Sequence, residues 1–288
     1  MGIVWRCRDR ELSLGERTLV MGIVNVTPDS FSDGGMFDDA DAAVKHGLQL
    51  LEEGADILDV GGESTRPGSI PVDEDEELAR VLPVIEGLRR EAPEAILSVD
   101  TRKAAVASEA LAAGTDVVND IGAGADPGMF GVVASAGAGM VLMHMQGEPK
   151  TMQSEPRYGD VVGEVRSFLA ERLGGAVAAG IGRDRLCVDP GIGFGKTPDQ
   201  NLALLHELAM FRQLGRPVLL GTSRKSTIGH VLDLPAHERL EGTLATTALG
   251  IAAGVDIVRV HDVLANVRAA RMSDAVLRRD SRVRPRAP

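Results

Sequence analysis

Short runs of Val, Ile and Leu alternate with longer segments in which apolar residues recur at helical spacing. The apolar runs are continuous and do not alternate with polar residues, which is typical of parallel strands buried on both faces. Helical spacing is clearest between the second and third runs, where Leu78, Val81, Ile85 and Leu88 recur. We predict eight strands, at residues 19–26, 56–61, 95–100, 116–120, 139–144, 185–189, 217–222 and 256–260.

Glycines punctuate the pattern in "EEGAD", "AAGTD" and "AAGVD", each just after a helical segment and just before a strand. A glycine in this place is typical of a left-handed helix cap. Eight β/α units without a linker predict an α/β fold, a single-domain TIM (β/α)8 barrel. The alternative is a doubly wound open sheet. It is disfavoured because "NVTPDSFSDGG", and not a Gly-x-Gly-x-x-Gly turn, follows the first strand.

The boundaries of this pattern divide the chain into three parts. Residues 1–18 form an N-terminal lead-in segment, 19–278 the barrel, and 279–288 a basic tail that we expect to be disordered.

The composition of the chain limits the kinds of partner that it can bind. The 288 residues carry a net charge of −11 and only 3% aromatic residues, which argues against binding to duplex or single-stranded nucleic acid. No uncharged apolar run approaches the length of a membrane span, and the first residues do not resemble a secretory signal. Cys7 and Cys187 have no metal-type spacing. We therefore expect a cytoplasmic enzyme that acts on small molecules, with no nucleic-acid or membrane partner.

Polar side chains stand where nearly every predicted strand ends. In order they are Asn25, Asp59, Asp100, Asn119 with Asp120, Met143 with His144, Asp189, Ser223 with Lys225, and Arg259 with His261. A single Asn or Asp after a strand is more often a turn or a helix cap than a site. In a TIM barrel, however, all these ends meet on one rim, where catalytic groups lie. The repetition predicts a polar pocket.

The residues of this rim fall into two chemical groups. Asp100, Asn119 and Asp189 supply acceptors and an amide suited to a flat, donor-rich heterocycle. Positive charge suited to phosphate or carboxylate comes from Arg66, Lys225, Arg259 and His261. In "GTSRKSTIG", a helix predicted to begin at Ser226 adds free backbone N–H groups, which favour anions. The amide oxygen of Asn25 could hold Mg²⁺, which prefers oxygen ligands.

Eight motifs in order resemble the bacterial dihydropteroate synthases: "MGIVNVTPDSFSDGG", "DVGGESTRPG", "SVDTRK", "VVNDI", "VLMHMQGEPKTMQ", "DPGIGFGKT", "GTSRKSTIG" and "VRVHDV". They extend from about residue 21 to 263. The resemblance implies a pterin-binding TIM barrel, a homodimer and Mg²⁺ as cofactor. It also implies condensation of 4-aminobenzoate with 6-hydroxymethyl-7,8-dihydropterin diphosphate in folate biosynthesis.

The resemblance also implies three groups of site residues and two mobile loops, 27–37 and 63–68, that close over the diphosphate. The pterin pocket falls on Asp100, Asn119, Met143, Asp189, Gly221 and Lys225. The diphosphate site falls on Asn25, Thr65, Arg66, Arg259 and His261, with Mg²⁺ at Asn25. The aminobenzoate site, where sulfonamides would compete, falls on Phe31, Pro67, Phe194, Lys225 and Ser226. The catalytic residues among them are Asp100, Asp189, Lys225, Arg259 and His261.

Two other functions remain compatible with a pterin pocket in such a barrel. A pterin-binding methyltransferase needs no diphosphate or aminobenzoate site, and "TPDSFSDGG", "STRPG" and "SRKS" argue against it. A non-catalytic pterin-binding paralogue would be expected to have lost Arg66 or Lys225, and both are present. Sulfonamide-sensitive and sulfonamide-insensitive members would share these motifs.

Overall fold

The computed structural model describes residues 3–26, 36–64 and 68–278. Strands β1 (Ile3–Cys7) and β2 (Arg10–Leu14) form an antiparallel hairpin. Eight parallel strands follow: β3 (Leu19–Asn25), β4 (Ile57–Gly61), β5 (Ile96–Asp100), β6 (Val117–Asp120), β7 (Gly139–Met143), β8 (Leu186–Asp189), β9 (Leu219–Leu220) and β10 (Ile257–Val260).

The parallel strands pair in the order β8-β7-β6-β5-β4-β3-β10-β9. A parallel bridge between Val188 and Val218 joins β8 to the residues just before β9, so the sheet closes on itself. This confirms the predicted TIM barrel. Each observed strand is shorter than its prediction, most of all β9. Pro217 has no backbone N–H to offer a sheet, and the chain leaves the barrel wall after Leu220 to form the loop that carries Ser223.

Nine α-helices lie in the described part of the chain: α1 (Met36–Glu52), α2 (Glu74–Glu91), α3 (Ala104–Ala112), α4 (Met129–Ala136), α5 (Val161–Ala178), α6 (Pro198–His206), α7 (Ser226–Leu232), α8 (Leu240–Ala252) and α9 (Val263–Leu277). Local sequence sets their starts. At α6, the side chain of Thr197 accepts from the backbone N–H of Gln200, whose side chain accepts from the backbone N–H of Thr197. Pro198 then occupies the first turn, where a missing N–H costs nothing. None of the described helices is long and apolar enough to cross a membrane.

Two apolar clusters lie on the two faces of the barrel wall. The larger one fills the space between strands and helices, and includes Val60, Val99 and Val118. The smaller one fills the lower interior, and includes Met21, Ile57, Ile96, Val117 and Val141. Since side chains alternate along a strand, the residue two positions after an interior one also faces the interior. This alternation positions the site, because two to four residues after the interior floor most strands reach a predicted polar residue, whereas β7 reaches the apolar Met143.

The N-terminal hairpin closes the bottom of the barrel, a role that the sequence did not reveal for the lead-in segment. Trp5, Cys7 and Leu14 are fully buried in the lower interior cluster. The indole of Trp5 donates to the backbone carbonyl of Arg185 at 2.9 Å. The two-residue turn that joins the strands includes Arg8 with a φ of 55°. The predicted tail, 279–288, lies outside the described residues.

Candidate active site

Strand register brings the predicted pterin residues to one level of the barrel interior. On four neighbouring strands, Asn25 pairs with Gly61, Gly61 with Asp100, and Asp100 with Asn119. Farther round the wall, Met143 pairs with Asp189. The structure therefore shows that these strand ends converge on one rim, as predicted.

Arg259 crosses this interior from β10 to two carboxylates. Its Nε donates to Asp59 Oδ2 at 2.5 Å, and its Nη2 donates to Asp100 Oδ2 at 2.6 Å. The amide of Asn119 donates to the same oxygen of Asp59 at 2.9 Å. Asp59 thus orients both a cation and an amide of the predicted site. Its other oxygen, Oδ1, is buried without a hydrogen-bond partner in the described residues.

The carboxylates of the predicted pterin pocket are buried away from solvent. Burial raises the pKa of Asp100 to about 7, although Arg259 opposes the shift. Burial likewise raises the pKa of Asp189 to about 6, against a hydrogen bond from the backbone N–H of Gly191 and the charge of Lys225. That N–H lies 2.7 Å from Asp189 Oδ1. Perturbed carboxylates in a cavity are typical of binding and catalytic sites.

Gly221 and Lys225 lie beside residues of the predicted pterin pocket and of the predicted aminobenzoate site. A Cβ at Gly221 would lie 3.9 Å from Asp189 Oδ2 and 4.0 Å from Arg259 Cβ, so the glycine leaves room beside both. Lys225 Nζ lies 3.9 Å from the ring centroid of Phe194, a cation–π contact. Burial and the charge of Arg259 lower the pKa of Lys225 to about 8. Ser226, at the start of α7, is exposed.

The loop after β8 carries Phe194 and packs tightly against the loop after β7. Gly191 has a φ of +69°, and a Cβ there would lie 1.9 Å from the carbonyl oxygen of His144. Lys196, 2% exposed, inserts its ammonium between the two loops. It donates to the carbonyls of Gly191 at 2.8 Å, Phe194 at 2.9 Å and His144 at 3.3 Å. Burial lowers the pKa of Lys196 to about 7. The hydrogen bonds of Lys196 therefore fix the backbone position of Phe194.

Next to these loops round the barrel, His261 follows β10 and contacts the loop after β9. Its Nδ1 lies 2.9 Å from Ser223 Oγ. Burial and the neighbouring cations Arg259 and Arg224 lower the pKa of His261 to about 4. The imidazole is therefore neutral at neutral pH. Burial and the cationic neighbours thus oppose the positive charge that the sequence analysis expected His261 to supply.

Four predicted residues, Phe31, Thr65, Arg66 and Pro67, lie outside the described residues, as do the expected loops except for their ends. Glu63, the first residue of the second expected loop, is held by two cationic side chains. Glu63 accepts from Lys103 Nζ at 2.8 Å and from Arg102 Nη2 at 3.3 Å.

The predicted metal position has few protein ligands. Within residues 3–26, 36–64 and 68–278, no group of three or more His, Cys, Asp or Glu side chains could hold a metal ion. Asn25 stands half-buried at the end of β3. A single amide oxygen fits a Mg²⁺ ion whose other ligands are substrate phosphates and water, which is how proteins commonly bind it.

Sequence reasoning missed three residues of this site. Asp59 was noted as a strand end but not assigned to the site, although its alternation with Gly61 places it in the interior. Ser223 was noted as a strand end but given no role, because nothing in the sequence pairs it with a residue 38 positions away. Lys196 was not considered, since an isolated lysine is normally solvated.

Comparisons with known proteins agree with this site. Residues 21–261 match the model of a family described as pterin binding enzyme. The chain therefore belongs to the family of pterin-binding enzymes.

Its relatives in that family are dihydropteroate synthases. It is 52% identical over 267 residues to the dihydropteroate synthase of Bacillus subtilis, a match that covers 92% of this chain and 91% of the relative. A solved structure of Xanthomonas albilineans dihydropteroate synthase with 4-aminobenzoic acid has a TM-score of 0.90 and 48% identity, and covers 96% of this chain and 98% of that one. The same enzyme in complex with 7,8-dihydropteroate has a TM-score of 0.85 and 45% identity, and covers 95% and 98%.

Proposed function

We propose that this chain catalyses the dihydropteroate synthase reaction. The C–O bond between the pterin methylene and the diphosphate breaks, and the amine of 4-aminobenzoate bonds to the methylene. The products are 7,8-dihydropteroate and pyrophosphate, and the amine loses one proton. The observation that carries the proposal is the close grouping of Asp100, Asn119, Asp189, Lys225 and Arg259 at the upper end of the barrel interior.

The pterin is recognised by acceptors at the edge of its ring. Asp189 and Asp100 can accept from the N–H groups of an aminopyrimidinone, and Asn119 can both donate and accept. Met143 lies with Phe194, Ile121 and other apolar residues in a small cluster apart from the main cores. Met143 provides an apolar surface for the flat ring, while Phe194 faces the aminobenzoate half of the site.

The charges of the cavity favour departure of the diphosphate. Asp59, Asp100 and Asp189 supply three carboxylates against the two cations of Arg259 and Lys225. A cation that develops on the pterin methylene, delocalised into the ring, is stabilised by these carboxylates in their ionised forms. The departing diphosphate gains negative charge at the rim, where Arg259 and the Nε2 side of His261 are in reach. The neutral arylamine is already a nucleophile and needs no strong base.

Aminobenzoate binds beside Lys225. Its ring packs against Phe194 and the stem of Lys225, and its carboxylate lies near Ser226 at the start of α7. Phe31 and Pro67 complete this half-site in the proposal. Sulfonamides compete here because they carry a similar aniline. Resistance would arise from a change in shape around Phe194 and Pro67 that leaves turnover intact.

Mg²⁺ is proposed as the cofactor, held by Asn25. When bound, it neutralises charge on the leaving diphosphate. The rest of its coordination comes from diphosphate oxygens and water, which is consistent with the single amide ligand at the end of β3.

A homodimer is proposed to form through helices α7, α8 and α9. These helices contact one another and expose large apolar side chains: Val231 is 57%, Leu249 68% and Met272 67% exposed. Apolar side chains on adjacent helices are typical of a surface that another subunit covers. Light scattering should give the mass of two chains, and Leu249→Glu should give one. Val177→Glu on α5 is the matched control.

A cytoplasmic location is consistent with two buried free thiols, Cys7 and Cys187.

The decisive experiment supplies both substrates with Mg²⁺ and measures both products. We expect pyrophosphate and dihydropteroate in equal amounts, loss of turnover when the metal is chelated, and competition between a sulfonamide and 4-aminobenzoate. Insensitivity to the drug with normal turnover would identify a resistant member. Binding of the pterin without pyrophosphate release would support a methyltransferase or a non-catalytic paralogue instead.

A further inference from the structure

Ser223 and His261, which follow the paired strands β9 and β10, are joined by two hydrogen bonds at the mouth of the barrel. The backbone N–H of His261 donates to Ser223 Oγ at 3.2 Å. The same oxygen lies 2.9 Å from Nδ1 of the imidazole. Ser223 is 5% exposed, so its hydroxyl has little access to bulk water. Both ends of the contact are therefore fixed by the protein.

Only one placement of the hydrogen atoms satisfies every donor in this contact. Ser223 Oγ already accepts the backbone N–H of His261, so its own hydrogen needs an acceptor. Within the described part of the chain, the only acceptor that contacts this hydroxyl is Nδ1 of His261. If Nδ1 carried a hydrogen, the serine would accept twice and its buried hydroxyl would donate to nothing. A buried donor without a partner is costly.

The charges around His261 oppose a second proton on the ring. Arg259, Arg224 and Lys225 face it with positive charge, and Asp262 faces it with negative charge. Arg224 largely neutralises Asp262, because its Nε and Nη2 donate to the two carboxylate oxygens at 3.0 and 2.5 Å. The pKa of His261, about 4, agrees with this balance.

We propose that Ser223 is a positioning residue that fixes His261 as a neutral imidazole with a bare Nδ1 and a protonated Nε2 aimed at the diphosphate. This inference rests on the proposed function for the identity of the anion. His261 then contributes a hydrogen bond to the leaving group and no net charge. The tautomer matters because only Nε2–H can donate to an anion while Nδ1 is engaged by Ser223.

The first test reads the tautomer directly in the ligand-free protein. The chain has six histidines, so ¹⁵N-histidine labelling gives a spectrum that His261→Asn can assign. At neutral pH we expect a pyridine-like Nδ1 and a pyrrole-like Nε2 for His261. Addition of pyrophosphate with Mg²⁺ should shift Nε2 and leave Nδ1 bare. A protonated Nδ1, in the neutral ring or in an imidazolium, would overturn the proposal.

The second test is a double-mutant cycle. Ser223→Ala should give a mixture of tautomers and lower kcat/KM for pterin diphosphate about tenfold, as expected for a hydrogen bond to a charged ligand. In a His261→Ala background the same change should have no further effect, because Ser223 acts through the histidine. An equal loss in both backgrounds would contradict the proposal.

Ser98→Ala is the matched control. Ser98 is buried in the barrel and its hydroxyl has no hydrogen-bond partner in the described residues, so the same chemical change removes no contact. It should leave the tautomer and the kinetics unchanged. The two tests also separate the proposals: absence of turnover would contradict the function, while the spectrum of the free protein still decides the tautomer.

Discussion

Asp59 holds Arg259 across the barrel interior, with the guanidinium Nε 2.5 Å from Asp59 Oδ2. The two residues lie on β4 and β10, the strands on either side of β3. The same carboxylate oxygen accepts from Asn119 at 2.9 Å. One fully buried carboxylate thus sets the direction of a cation and of an amide at the centre of the site.

Asp59→Asn should therefore lower kcat/KM for pterin diphosphate by about 10- to 100-fold, the range expected when buried partners lose a charged hydrogen bond. The new amide brings hydrogens toward groups that are themselves donors. Steady-state kinetics measure the loss. Asp274→Asn is the control, because Asp274 binds Thr18 near the other end of the barrel, at 2.7 Å from its backbone N–H. Equal losses of activity in the two variants would contradict a specific role of Asp59.

Asp189→Asn should weaken pterin binding by about 10-fold or more. The asparagine can keep the bond from the backbone N–H of Gly191 through its oxygen, but it presents an NH₂ group to the N–H edge of the ring. Calorimetry with a pterin ligand measures the change. Unaltered affinity would show that Asp189 caps its turn and does not recognise the ring.

Phe194→Ala should raise KM for 4-aminobenzoate about tenfold, because a large apolar contact is lost, and leave pterin diphosphate binding nearly unchanged. Phe130→Ala is the matched control. Phe130 also lies beneath a cation, with Arg172 5.0 Å from its ring centroid, but it packs on the outer shell. Should Phe194→Ala lose pterin binding and keep normal saturation by aminobenzoate, the two half-sites have been exchanged.

The pH dependence of kcat/KM for pterin diphosphate should be bell-shaped. Asp189 and Asp100, with pKa values of about 6 and 7, lose their acceptor form as the pH falls, so activity falls on the acid side. Lys225, with a pKa of about 8, loses its charge as the pH rises, so activity falls on the alkaline side. Lys225→Arg should remove the alkaline limb, since guanidinium does not titrate there. An alkaline limb that persists in this variant would assign it to another group.

His144 should make stability depend on pH in the acid range. Burial lowers its pKa to about 3, so below its ordinary value of 6.5 the unfolded chain binds a proton that the folded chain does not. The folded state therefore loses stability as the pH falls. Relative to His144→Phe, the free energy of unfolding of the wild type should fall by about 1.4 kcal/mol per pH unit below about pH 6.5.

Urea denaturation of both proteins at several pH values measures this difference. The buried carboxylates contribute equally to both chains and cancel. His144→Phe keeps an aromatic ring against Phe168, whose centroid lies 4.9 Å from that of His144. Parallel curves for the two proteins would show that His144 is protonated in the folded state.

Local sequence patterns were sufficient to predict the barrel fold and many of the residues on its rim. The continuous apolar runs and the polar residue at each strand end specify β/α units whose ends must converge, and Asp100, Asn119 and Asp189 do meet there. Contacts between distant segments were not predictable from pattern. Asp59 with Arg259, 200 positions apart, depends on the closure of the sheet. The lowered pKa of His261 depends on burial and on neighbouring cations, which are brought about only by folding.

The hairpin that closes the barrel floor also places the chain's single tryptophan, Trp5, at the end opposite the site. Its indole is fully buried and bonded to the carbonyl of Arg185, in the segment that leads into β8. Tryptophan fluorescence of this protein, excited at wavelengths where Tyr158 does not absorb, is therefore an emission from the floor alone. It reports whether the hairpin is docked and the barrel closed, and it stays silent on the occupancy of the mouth, so unfolding and ligand binding can be followed as separate optical signals in one sample.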